Sequence, residues 1–145
     1  MRLRAAKATV EEVAAEIATL NPGVTREALM RHVERVDPED ASRVKGSVWW
    51  CNKGLDVLPE SIGDLTVDNT LNLQGNKLAT LPASFGSLTV GGHLYLGANN
   101  LATLPASFGD LKVGGTVYLG DWRRGDNPVA ASGPRFDGLD VQYTF

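Results

Sequence analysis

The chain is 145 residues long, 43% apolar and 21% charged, with a formal net charge of −3, which fits one ordinary globular domain. Gly46 to Trp122 carries three lysines against six carboxylates, so there is no basic patch to attract nucleic acid. No run of about 18 apolar residues exists to insert into a membrane, and the single Cys51 excludes an internal disulfide.

The first forty residues have a helical period. Thr9 and Glu12 have capping-box spacing, and Val10, Val13, Ala14, Ile17 and Leu20 fall on one face of the helix that follows. Asn21-Pro22-Gly23 ends it. Thr25 can cap a second helix, in which Leu29, Val33 and Val36 recur at three- and four-residue spacing. Asp37-Pro38 has the form of a cap and first position of a short third turn. Asp40 to Arg43 is too short a linker for a separate module. Residues 1–43 are therefore expected to close one end of the structure that follows.

From residue 44 the period changes to 23. Leu65 to Ser87, Leu88 to Asp110 and the segment from Leu111 nearly repeat one another, with Leu71, Leu94 and Val117 in register, then Leu73, Leu96 and Leu119. A degenerate first unit begins at Val44, with Val48 and Trp50 at the corresponding places. A degenerate last unit follows, in which Phe136-Asp137-Gly138 has the form of the Val90-Gly91-Gly92 segment and Val141 and Tyr143 take strand positions. A unit of this length cannot bury its own apolar face, so the units must stack as a solenoid. Short strands are expected over 47–51, 70–74, 93–97, 116–120 and 140–144. The organisation is a helical cap over 1–43, repeats over 44–122, and a polar loop with a C-terminal capping strand over 123–145.

The run Leu71-Asn72-Leu73-Gln74-Gly75-Asn76-Lys77-Leu78-Ala79-Thr80-Leu81-Pro82 resembles the leucine-rich repeat, and Ser84-Phe85-Gly86-x-Leu88 resembles its 23-residue variety. The resemblance implies an α/β fold: a right-handed leucine-rich-repeat solenoid with short parallel strands on its concave face and an N-terminal α-helical cap. One departure stands out. A leucine usual in the family is replaced by Asp68, Gly91 and Gly114, with Val67, Val90 and Val113 one residue earlier. Asp68-Asn69, Gly91-Gly92 and Gly114-Gly115 all tolerate positive φ, so a tight turn is expected before each strand. Asn76 and Asn99 correspond to the family's asparagine ladder, which here would end at Lys53 and Trp122. Extracellular members usually seal their ends with cysteine pairs, absent here. With no signal-like apolar segment after Met1 and no N-x-S/T sequon, an intracellular, cytoplasmic location is expected.

Alternation within strands sends the leucines, Phe85 and Trp50 inward and leaves three outward columns. These are Ser47, Thr70, His93 and Thr116; Trp49, Asn72, Tyr95 and Tyr118; and Cys51, Gln74, Gly97 and Gly120. Trp49, Thr70, Asn72, Gln74, His93, Tyr95, Thr116 and Tyr118 are the candidate protein-binding residues, because aligned aromatics on a rigid face suit binding hot spots. Alternatively the tyrosines only satisfy strand propensity, and Trp49 is expected to pack under the helical cap.

No catalytic grouping stands out. Two histidines and one cysteine cannot make an ordinary zinc site, and Gly91-Gly92 and Gly114-Gly115 recur as turns rather than as a phosphate loop. Arg124-Gly125-Asp126 is read as coincidence within a polar loop. The expectation is a non-enzymatic module without cofactor or metal, which binds another protein and neither nucleic acid nor the membrane interior. Two other readings stand beside it: a structural subunit of a larger assembly held through its caps and C-terminal strand, or the recognition fragment of a longer leucine-rich-repeat enzyme such as a ubiquitin ligase.

Overall fold

The structure, a computed structural model, describes residues 7–121, 125–131, 136 and 138–142. Helix α1 (Val10–Leu20) begins with the capping box: Thr9 Oγ1 accepts the Glu12 amide at 3.1 Å, and Glu12 Oε1 accepts the Thr9 amide at 2.9 Å. Val10, Val13, Ala14 and Ile17 are fully buried, but Leu20 is 44% exposed. Its place on the core face is taken by Asn21, only 2% exposed. Asn21 Nδ2 donates to the Ile17 and Val57 carbonyls, and Oδ1 accepts the Asp56 and Val57 amides. A residue read only as a helix breaker thus fastens the helix to the first repeat.

The second helix is shorter than the apolar spacing suggests. α2 (Arg26–Met30) is capped by Thr25 and buries Leu29, then ends. Val33 bridges antiparallel to Val48, and Val36–Asp37 (β1) pairs antiparallel with Asp40–Val44 (β2). The expected third helical turn at Asp37-Pro38 is instead the bend of a hairpin. Asp37 Oδ1 accepts the Glu39 amide at 2.9 Å, a local bond that competes with helix, and β-branched Val33 and Val36 favour strand. β2 runs across the expected boundary at residues 43 and 44.

The repeats build two sheets, so the chain is a mixed α/β protein with parallel strands and few helices. Strands β3 (Val48–Trp49), β5 (Leu71–Asn72), β7 (Leu94–Tyr95), β9 (Thr116–Tyr118) and β12 (Asp140–Gln142) lie parallel in that order. Val48, Leu71, Leu94, Val117 and Val141 are in register, each within an expected strand. The second sheet was not anticipated. β4 (Thr66–Val67), β6 (Thr89–Val90) and β8 (Lys112–Val113) extend β1 and β2 as parallel strands, aligning Val44, Val67, Val90 and Val113. Between the sheets run short 3-10 turns at Glu60–Asp64, Ala83–Ser87 and Ala106–Asp110, and the Phe85 and Phe108 rings stack across units 6.2 Å apart. Trp50 and the leucines of the strands fill the core, and Trp50 Nε1 donates to the Leu29 carbonyl.

A bend does stand at each expected pair before β5, β7 and β9, but its backbone is not left-handed. None of Asp68, Asn69, Gly91, Gly92, Gly114 and Gly115 has positive φ. Their small size answers a close approach instead: a Cβ on Gly91 would lie 2.2 Å from the Asp68 carbonyl oxygen, and one on Gly114 would lie 2.2 Å from that of Gly91. A left-handed residue follows β3, β5 and β7, at Asn52 (φ 55°), Gly75 (72°) and Ala98 (51°), spaced by the repeat.

Asparagines cross-link the units as expected. Asn76 Oδ1 accepts the Lys53 and Leu55 amides, and Nδ2 donates to the Trp50 and Leu73 carbonyls; Asn99 joins Leu78, Leu73 and Leu96 in the same way. The ladder does not stop at Asn99. Asn127 accepts the Leu101 amide and donates to the Leu96 and Leu119 carbonyls. It stands five residues beyond the periodic place at 122 because the hairpin β10 (Gly120–Asp121) and β11 (Gly125–Asp126) intervenes. Trp122 itself, Arg124 and Tyr143 lie outside the described residues.

Phe136 is also reassigned. Its ring lies 5.2 Å from Phe108, and the Leu139 amide donates to its carbonyl as Leu111 does to that of Phe108. It is therefore the last unit's counterpart of Phe108, not of the valine. Because Asp140 then pairs with Thr116, the last unit has no counterpart of 112–115, and β8 ends the second sheet.

Candidate protein-binding face

The aromatic cluster comes from two adjacent strands. Tyr95 on β7 lies opposite Tyr118 on β9, and in-register parallel strands are about 4.8 Å apart. The ring centroids are 4.9 Å apart with planes at 10°, so the rings keep the strand spacing out to their tips. Rings this close and nearly parallel cannot lie side by side in one plane; they are stacked. His93, two residues before Tyr95 and on the same side of the strand, turns its ring at 62° to Tyr95 and 58° to Tyr118, at 6.1 and 5.6 Å. All three are half-buried.

Backbone bonds fix His93. Its Nδ1 accepts the Thr116 amide at 2.9 Å, so the proton of the neutral ring sits on Nε2. The same device operates two repeats earlier in this column, where Ser47 Oγ accepts the Thr70 amide at 3.1 Å. A Cβ on Gly115 would come 2.5 Å from His93 Nδ1, so a glycine there gives the imidazole its room.

The other candidates divide. Thr70 and Gln74 are half-buried on the same face. Asn72 is not an outward contact: it is 8% exposed, and its Oδ1 accepts the Gln74 amide at 3.0 Å. Thr116 is 9% exposed, and its Oγ1 donates to Asp140 Oδ2 at 2.7 Å. Both bind within the sheet because each can satisfy a short local bond there.

Trp49 does not pack under the cap. It is 39% exposed, and its indole N–H donates to Glu34 Oε2 at 3.1 Å. The other oxygen of Glu34 accepts the Ser47 amide at 2.8 Å. The indole bond, and then the amide bond, hold the Glu34 carboxyl below its ordinary value. Glu34 escaped the sequence reading because its segment looked helical, and an exposed helical glutamate carries no signal. The expected strands 116–120 and 140–144 already align Asp140 with Thr116, but they carry no sign of the side-chain bond between the two.

Elsewhere the polar groups hold structure. A cleft of about 400 Å³ is lined by Glu16, Glu60, Ser61 and Asp64, but Glu16 accepts the Ser61 hydroxyl, Glu60 accepts the Ala83 and Ser84 amides, and Asp64 accepts the Ala8 amide. Among the described residues no group of three or more His, Cys, Asp or Glu could hold a metal ion, and no helix is long and apolar enough to cross a membrane. No protein-family model, no curated protein and no solved structure matches the chain.

Proposed function

We propose that this chain is a small, non-enzymatic leucine-rich-repeat solenoid that binds another protein through the sheet face bearing His93, Tyr95 and Tyr118. The observation that carries the reading is the stacked Tyr95–Tyr118 pair with His93 against it, three half-buried rings on the side of the sheet away from the core. The core does not use them, because Leu94, Leu96, Val117 and Leu119 on the same strands are fully buried and fill the interior. Preordered aromatic side chains lose little entropy on contact and are enriched among residues that dominate interface energy. The 23-residue units, the asparagine ladder and the parallel register all suit a solenoid of this family.

A photoreactive benzoyl-phenylalanine placed at Tyr95 should cross-link one discrete protein in extracts of the native source. The same group at Ala102, an exposed loop position, should not. Equal cross-linking at both positions would contradict the reading.

A second reading has its own support. Among the described residues the first sheet is bridged on one side by Val33 and the second ends there in the two-residue β1, whereas on the other side β8 and β12 end their sheets. A subunit held within an assembly through that end would use these strands, as partners that add a strand do. A cross-link from Gln142 with none from Tyr95 would select it.

A further inference from the structure

We infer that the aromatic face takes an arginine-bearing segment of the partner protein, laid across the strands with its guanidinium against the tyrosine rings. The inference rests on the protein-binding reading above and adds the chemistry of what binds. Three observations carry it. First, the rings at the centre of the face are two stacked tyrosines, and the π faces of such rings are negative. Second, the three outward columns contain no lysine or arginine, and β12, the next strand, adds the carboxylate Asp140 beside Thr116. Third, Glu34 places a second carboxylate at the opposite end, bonded to Trp49. The face is thus an aromatic strip bounded by a negative group at each end and free of competing cations within the columns.

Guanidinium suits this arrangement better than ammonium. It is planar, stacks on aromatic faces and keeps in-plane N–H donors for a neighbouring carboxylate, whereas ammonium is a compact and strongly hydrated charge. Both Glu34 oxygens already accept one bond each, yet a carboxylate can accept about four. From β3 to β12 is four strand spacings, about 19 Å, which an extended segment of about six residues spans. The rings, His93 and Asp140 lie toward one end of that span and Trp49 with Glu34 toward the other, so one such segment reaches both carboxylates.

The test is a titration of the full chain, labelled in its tyrosine rings, with glycine-based hexapeptides carrying two arginines, two lysines, two phenylalanines or two glutamates. The arginine peptide should shift the Tyr95 and Tyr118 ring resonances and bind about two- to fivefold more tightly than the lysine peptide, the margin an exposed cation–π contact supplies. The glutamate peptide should cause no shift. Tyr95→Leu should erase the arginine preference. Glu34→Gln, which removes the charge and keeps one of the two accepting oxygens, should weaken the arginine peptide about twofold and leave the phenylalanine peptide unchanged. Equal binding of arginine and lysine, or tighter binding of phenylalanine at the same rings, would overturn this inference and leave the protein-binding reading standing. Absence of ring shifts with every peptide, together with a partner that cross-links only from Gln142, would overturn both.

Discussion

Ala98 occupies a backbone conformation that suits glycine. It has φ 51°, and one repeat earlier the same place is Gly75 at φ 72°. A Cβ in the left-handed region crowds its own carbonyl at a cost of about 1–2 kcal/mol. Removing it from Ala98 recovers that amount, and the extra freedom of glycine in the unfolded chain offsets about 0.4–1 kcal/mol. Ala98→Gly should therefore stabilise the protein by about 0.5–1 kcal/mol, or about 2–4 °C in Tm for a chain of this size. Gly75→Ala should destabilise by about the same amount, and because the Gly75 amide donates to the Gly97 carbonyl in the adjacent unit, the double exchange reads the coupling between the two sites rather than their sum. Urea unfolding followed by far-ultraviolet circular dichroism measures all three, with the midpoint read at constant slope. A destabilised Ala98→Gly protein would refute the assignment of a recurrent left-handed residue after β3, β5 and β7.

Asn99→Ala removes a buried side chain that accepts the Leu78 amide and donates to the Leu73 and Leu96 carbonyls, so it should cost about 3–5 kcal/mol in the same urea experiment. Gly91→Ala and Gly91→Asn should both destabilise by more than about 2 kcal/mol, since any Cβ meets the Asp68 carbonyl at 2.2 Å; tolerance of asparagine alone would restore a positive-φ turn. The Trp49–Glu34 contact should respond to pH with a definite sign. The folded carboxyl titrates below its ordinary value, so the stability it adds is fully present above about pH 4.3 and is lost as pH falls through the lower folded value. The fluorescence difference between the native chain and Trp49→Phe should accordingly titrate below that point, and a midpoint above it would contradict the contact.

The repeat made the strands legible in sequence to within a residue or two. Val48, Leu71, Leu94 and Val117 pair where the 23-residue period puts them and Val141 one residue beyond it, because one unit's apolar pattern fixes the register of the next. The capping box of α1 was equally plain, since it is a local signal. What escaped depends on contacts between units or on departures from the period. Val33 and Val36 keep helical spacing but are drawn into backbone pairing with Val48 and Val44. The glycine pairs admit two explanations, positive φ and close approach, and only the neighbouring carbonyl decides between them. The second sheet was hidden because two-residue strands at Thr66–Val67 and Thr89–Val90 carry no alternation of their own. Column position placed His93, Tyr95 and Tyr118 on one face, and the structure brings their rings together there. Asn72 and Thr116 were misplaced because alternation gives direction, not the local bonds that draw a short side chain down.

The central claim is that the face bearing Tyr95 and Tyr118 is where a partner protein binds. The direct measurement is the affinity of the cross-linked partner for Tyr95→Ala and Tyr118→Ala, taken alongside their melting curves. Each substitution breaks one stacked pair at 4.9 Å and should cost about 0.5–1.5 kcal/mol of stability. Each should raise Kd by about 5- to 150-fold, the 1–3 kcal/mol typical of an interface aromatic. Unchanged Kd in both variants, with the stability loss as expected, would contradict the claim and move the contact to the β8 and β12 end of the molecule.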